Sequence, residues 1–333
     1  MSIDYYYSKT NVLHGSRLAY FDQLKGLAIL LVVIGHVMQF SFGYAQSDLV
    51  NMLGIFHMPI FFYISGYFAY KELPSFKGMV RKLRHRMVSL ALPYLSFVFL
   101  WCLFSETDAL SMFLGGGGRY WFLYVLLLLS LFFIIGEYAI GKIKKDWLYI
   151  LCWLLPYCML LLFKIKHIEI IPGVTGHLVT YYRYFLIGYL CRKYIRLNTF
   201  LFKNPSVYAL AFVFYFTQWY FCDAHQMLLI FAGGLGAIIV LQRFFEIQTQ
   251  QSKAMWLLKV MGENSLSIYV IHYFCIPDLT QILYCFLDAS NPFIWHLVFS
   301  GSLSLVIIAI SVFVGKLIEN NPYLRLVLLG KLK

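Results

Sequence analysis

Apolar stretches of near-membrane length recur along the whole chain, divided by short polar segments. A helix needs about twenty apolar residues to cross a bilayer. On that measure the pattern predicts ten spans, over approximately 21–40, 51–70, 87–105, 120–140, 147–163, 177–191, 206–222, 226–242, 265–287 and 293–315. No predicted loop exceeds about twenty residues, which leaves no room for a soluble domain between spans. The expectation is one polytopic unit over 1–333, an all-α integral membrane bundle of about ten transmembrane helices with no appended soluble domain. No internal repeat of the kind that builds many transporters is evident.

Composition points the same way. With 61% hydrophobic and only 13% charged residues, the chain has too little polar surface to cover a soluble domain of 333 residues. Charge then supplies orientation, because an even number of spans places both termini on one side. Most of the 27 Lys and Arg residues fall on that side, among them Lys9, Arg17, Lys25, the run 71–86, the cluster 142–145 and the segment 192–203. Arg119, Lys164 and Lys166 fall on the other. The positive-inside rule therefore predicts cytoplasmic termini. The formal charge of +12 reads as this topology signal, with anionic lipid headgroups as partners. Its dispersal over short loops argues against nucleic acid. The seven cysteines, Cys222 and Cys285 among them, show no metal-ligand spacing and are expected to be small buried hydrophobes, so no metal site is predicted. The N-terminus lacks a charged segment leading directly into an apolar one, so no cleaved signal peptide is expected.

Ionisable groups within the spans are costly and therefore mark candidate chemistry. His36 lies deep in the first span, about three helical turns and roughly 16 Å beyond Lys25 on the same face. It fits either a reactive imidazole or a histidine packed between helices. His57 would lie at similar depth in the antiparallel second span, where two imidazoles could divide base and acid work. It could equally hydrogen-bond a carbonyl freed by Pro59. Span nine is unusually polar, with Glu263, Asn264, Ser265, Ser267, Tyr269 and a third histidine, His272.

At the inner rim, Arg81 and Arg84 would share a helical face and suit bidentate contact with phosphate. A basic anchor on anionic lipid explains them as well. Trp121 in Tyr120-Trp121-Phe122 and Arg183 in Tyr182-Arg183-Tyr184 could bind a sugar or an anionic substrate on the outer rim. An interfacial aromatic belt and a snorkelling arginine are the alternatives. Ser65-Gly66 reads as a close-packing pair. The four glycines Gly115 to Gly118 favour a mobile or tightly turning loop.

Together these stretches resemble the membrane-bound acyltransferase-3 family. The resemblance rests on Tyr20 to His36, on His57 to Tyr67, on the basic run 81–86 leading to Leu92-Pro93-Tyr94, and on Gly262 to His272. The family's motif of a basic residue, ten positions and a histidine falls on Lys25 and His36. Its Arg-x-x-Arg pattern falls on Arg81 and Arg84, with Arg86 offering a competing pairing.

The resemblance implies a stand-alone multi-pass enzyme of the bacterial cytoplasmic (inner) membrane. It would move an acyl group, acetyl foremost, from cytoplasmic acyl-CoA as cosubstrate to a hydroxyl of a cell-envelope glycan or lipid-linked sugar. Lys25, Arg81, Arg84 and Arg86 would then hold coenzyme phosphates. His36 would act as general base or carry the acyl group. His57, Tyr269 or His272 would polarise the thioester carbonyl or orient His36. Two rival functions fit the same residues, an exporter of a glycan or lipid-linked sugar and a structural partner in an envelope-polysaccharide assembly. Indifference to acyl-CoA and tolerance of substitution at His36 would mark them.

Overall fold

The computed structural model describes residues 19–43, 48–105, 112, 118–217, 227–248, 252–279 and 292–331. The sequence features at Lys9, Arg17, Gly115 to Gly117, Cys222 and Cys285 lie outside them, as do the ends of the seventh and ninth predicted spans. Among the described residues the fold is entirely helical. Its elements are α1 (Ala19–His36), α2 (Asp48–Ala69), α3 (Phe76–Arg86), α4 (Leu92–Ser105), α5 (Trp121–Ile140), α6 (Asp146–Ile165) and α7 (Thr175–Lys193). They continue as α8 (Ile195–Lys203), α9 (Pro205–Thr217), α10 (Met227–Ile247), α11 (Lys253–Glu263), α12 (Ser265–Cys275), α13 (Pro292–Asn320) and α14 (Pro322–Leu329). Helix is the expected outcome for long apolar segments, since within lipid it alone satisfies every backbone group inside one segment.

A helix overlaps each of the ten predicted spans, but six helical stretches among the described residues are long and apolar enough to cross a membrane. Two others, Pro205–Thr217 and Ser265–Cys275, are shorter apolar helices, and α2 is apolar over Gly54–Ala69. Within the ninth predicted span, α12 ends at Cys275, after which Ile276 turns extended. Large apolar side chains such as Phe99, Phe104, Leu155 and Phe313 point outward, as a lipid-facing surface requires.

Two helix pairs cross at backbone contact, and glycine makes both crossings possible. A Cβ placed on Gly26 of α1 would collide with the Leu258 carbonyl of α11, and one on Gly262 of α11 with the Asp22 carbonyl of α1. Gly66 of α2 and Gly188 of α7 meet in the same reciprocal way, against the carbonyls of Phe185 and Tyr63. Small residues of this kind let membrane helices approach. The Ser65-Gly66 pair is therefore a packing feature. The α1–α11 crossing brings two separate motif stretches together, so that α12, which follows α11, runs beside the end of α1 that carries His36.

The bundle has two chemically distinct ends. Phe21 of α1 packs on Tyr67 and Phe68 of α2, with ring centroids 4.9 and 5.1 Å apart, so the start of α1 lies beside the end of α2. This is the basic end, where Lys25, α3 and the Arg192 guanidinium over Tyr67 gather. The opposite end holds His36, Arg119 and Tyr273.

Candidate active site

α1 ends at His36, and Val37–Ser41 then widens into a π turn. Such turns recur at functional sites because they re-aim a side chain and disturb the regular ladder. Here the Ser41 carbonyl accepts the Leu279 N–H at 3.1 Å, from the extended segment that follows α12. A second π turn, Met87–Ala91, follows Arg86 and joins α3 to α4.

His36 Nδ1 lies 2.9 Å from His272 Nε2, with the two rings within 4° of coplanar orientation. His272 Nδ1 is in turn 2.9 Å from the Ile268 carbonyl oxygen. A carbonyl can only accept, so His272 carries its proton on Nδ1. In the neutral pair, His272 Nε2 then accepts from His36 Nδ1–H, and His36 Nε2 bears the lone pair. The Tyr273 hydroxyl, 3.2 Å from that nitrogen, donates to it. The hydrogen-bond network thus assigns both tautomers. His272 is fully buried at 0% exposure, whereas His36 is only partly covered. The buried imidazole orients the reachable one.

Tyr269 and Arg119 complete this end. The Tyr269 hydroxyl donates to the Arg119 carbonyl at 3.1 Å, and Tyr120 donates to the Val270 carbonyl at 3.3 Å. The two bonds tie the turn Gly118–Tyr120 to α12. Tyr269 is therefore engaged with backbone, its ring centroid 6.1 Å from that of His272. His57, half-buried two residues before Pro59 in α2, lies close enough to His36 for their charges to interact.

At the basic end, Lys25 pairs with Asp22 at 2.7 Å, an acid only 2% exposed, while the lysine side chain keeps 24% of its surface. The basic run forms α3. Its N-terminus is capped by Ser75, which accepts from Gly78 N at 3.1 Å. Arg81 and Arg84 are exposed together on one face, whereas Arg86 turns inward and Lys82 donates to the Ala69 carbonyl at the end of α2. Of the arginines in the run, Arg81 and Arg84 are the exposed pair.

Sequence reasoning missed a third cluster. Glu137 of α5 is buried and accepts hydrogen bonds of 2.5 Å from both Tyr149 and Tyr189, while Lys193 Nζ sits 3.4 Å above the Tyr149 ring. A single carboxylate inside an apolar run was the available signal. Tyr273 was also missed, being one of 26 tyrosines with nothing local to distinguish it.

Beside Tyr120 and Arg119, Trp121 stacks on His177 with centroids 4.1 Å apart and lies 5.3 Å from the Tyr181 ring. Two adjoining cavities open there and share Thr180 and Tyr181. One of about 230 Å³ includes Pro59 and Tyr184, and one of about 320 Å³ includes Lys164, Glu169 and His177. Arg183 does not face either. It is 7% exposed, donates from Nε to the Thr180 carbonyl at 3.1 Å, and lies 4.4 Å from the Phe231 ring centroid.

The chain matches the acyltransferase-3 family, described as an acyltransferase domain, over residues 18–313. It is also similar to "Nodulation protein NolL" of Sinorhizobium fredii (strain NBRC 101917 / NGR234), at 27% identity over 306 residues, covering 78% of this chain and 79% of that protein. No solved structure matches it. The matched region holds both histidines of the hydrogen-bonded pair, Arg119 and the basic helix. The chain belongs to the acyltransferase-3 family and is an acyltransferase, with helices that suit a multi-pass membrane protein.

Proposed function

We propose that this enzyme moves an acyl group, acetyl foremost, from cytoplasmic acyl-CoA to a hydroxyl of an extracytoplasmic or lipid-linked glycan, with His36 as general base. The observation that carries the reading is the hydrogen-bonded arrangement of His36, His272 and Tyr273, set at the other end of α1 from Lys25. In this reading ten spans cross a bacterial cytoplasmic membrane with both termini inside, and the whole chain is one catalytic unit.

The acceptor hydroxyl takes the place of Tyr273 as donor to His36 Nε2. As its oxygen attacks the thioester carbonyl carbon, its proton passes to Nε2. The tetrahedral adduct then breaks its C–S bond, and the departing thiolate of coenzyme A recovers a proton from His36. His272 keeps the basic nitrogen of His36 aimed outward, as the third member of a catalytic triad does for its histidine. Tyr269 acts through the turn it holds, and His57 supports the charge balance near His36.

Arg81 and Arg84, with Lys25 and the inward-turned Arg86, hold the coenzyme phosphates at the basic end. The pantetheine arm then spans the distance to His36, so the charged nucleotide need not cross the bilayer, at a cost of about 3 kcal/mol or more per charge at mid-depth. Trp121 and the cavities beside it suit a sugar, and Arg183 braces their wall. The test is label transfer from radiolabelled acetyl- and succinyl-CoA into envelope glycans by membranes carrying the wild-type chain. Label from either donor is expected. Its absence alongside undiminished export of unlabelled glycan would instead indicate transport.

A further inference from the structure

We infer that the Arg119 guanidinium is a further catalytic group, the donor that stabilises the oxyanion formed when the acceptor attacks the thioester; this rests on the reading of His36 as base. The Arg119 guanidinium carbon lies 4.3 Å from the Phe40 ring centroid, 4.5 Å from that of Trp101 and 5.2 Å from that of Tyr273. Phe40 and Tyr273 are also the ring neighbours of His36, at 5.7 and 4.9 Å between centroids. Arginine and base therefore share two aromatic walls. The arginine's charge reaches His36, His272 and Tyr273.

Three features favour catalysis over packing. Stacking engages the flat faces of a guanidinium and leaves the in-plane N–H groups for an oxygen. Among the described residues those N–H groups meet no carboxylate and no carbonyl. The backbone is also held from several sides. Gly118 takes a φ of 47°, a left-handed conformation that favours glycine, and the Tyr269 and Tyr120 hydroxyls bind the turn to the helix that carries His272. A positive donor fixed in place before reaction and set beside the base is what a developing oxyanion requires.

The reaction balances without any new participant. Negative charge appears on the former carbonyl oxygen as the C–O bond forms, is held by Arg119, and returns to reform the carbonyl as the C–S bond breaks.

The experiment measures kcat and KM for acetyl-CoA and succinyl-CoA in membranes carrying wild type, Arg119→Lys, Arg119→Gln or Arg119→Ala at matched protein levels. Arg119→Gln is expected to lower kcat by about 10²–10³-fold with either donor, and KM to stay within about threefold. Arg119→Lys, which keeps charge and fold but not the planar fork, should retain an intermediate kcat. Added guanidinium should restore part of the kcat of Arg119→Ala, which a packing role would not permit. Loss confined to succinyl-CoA would overturn the inference in favour of carboxylate recognition. An unchanged kcat in Arg119→Gln would overturn it outright. Wild-type membranes that transfer neither label would remove the reading of His36 and this inference together, whereas activity lost in His36→Ala but kept in Arg119→Gln removes the inference alone.

Discussion

His36 and His272 stand 236 positions apart in sequence and share a hydrogen bond of 2.9 Å, with the proton of His272 directed away to the Ile268 carbonyl. The buried histidine acts as the fixed acceptor that leaves His36 Nε2 basic. His272→Asn is expected to lower kcat by about 10²-fold, the scale of a disturbed general base, with little change in KM for acyl-CoA. Initial rates at varied acyl-CoA check this, and an unaltered kcat would count against the orienting role.

Tyr273 contributes both a hydroxyl to His36 and a ring beside Arg119. The acceptor is taken to displace the hydroxyl, so Tyr273→Phe should keep kcat within about fivefold of wild type. Tyr273→Ala removes the ring as well and should cost far more. Comparing the two rates separates the parts, and an inactive phenylalanine variant would make the hydroxyl itself catalytic.

Arg81 and Arg84 are exposed on one face of α3 while Lys82 is bound to the Ala69 carbonyl. Replacing either arginine by alanine should raise KM for acyl-CoA by about tenfold, the loss of a charge-assisted phosphate contact, and leave kcat near wild type. Lys82→Ala should instead lower thermal stability. Donor titrations paired with melting curves would expose any exchange of these effects.

The α1–α11 crossing makes a prediction about folding. A Cβ on Gly26 or Gly262 meets a backbone carbonyl, whereas one on Gly35 meets nothing within 4 Å. Gly26→Ala and Gly262→Ala should therefore destabilise by about 1–3 kcal/mol or more, as overpacking does, and Gly35→Ala should be tolerated. Thermal unfolding of the three variants in detergent reads this directly.

Much of this arrangement was legible from residue type and spacing, and some was not. An ionisable side chain in an apolar run announces itself, which is why Lys25, His36 and His272 could be singled out, and why α3 could be expected to expose Arg81 and Arg84 together. Arg119 could not be recognised in the same way. In sequence it is one cation of an outer loop, and its meaning comes from Phe40, Trp101 and Tyr273, each supplied by a different part of the chain. The π turn after His36 has no signature in an apolar segment either, and its last carbonyl, at Ser41, is paired with Leu279 from a distant part of the chain. Hydropathy measures apolar length, but the helix beyond Ser265 ends at Cys275, where the chain turns extended and supplies the Leu279 N–H to Ser41.

The most direct test of the central claim compares wild type with His36→Ala at equal protein levels, following labelled acetyl- and succinyl-CoA into lipid-linked and envelope glycans. Label that enters glycan with wild type and is lost by about 10²-fold or more in the variant is the predicted result. Equal labelling by both proteins would contradict it and return His36 to a packing role.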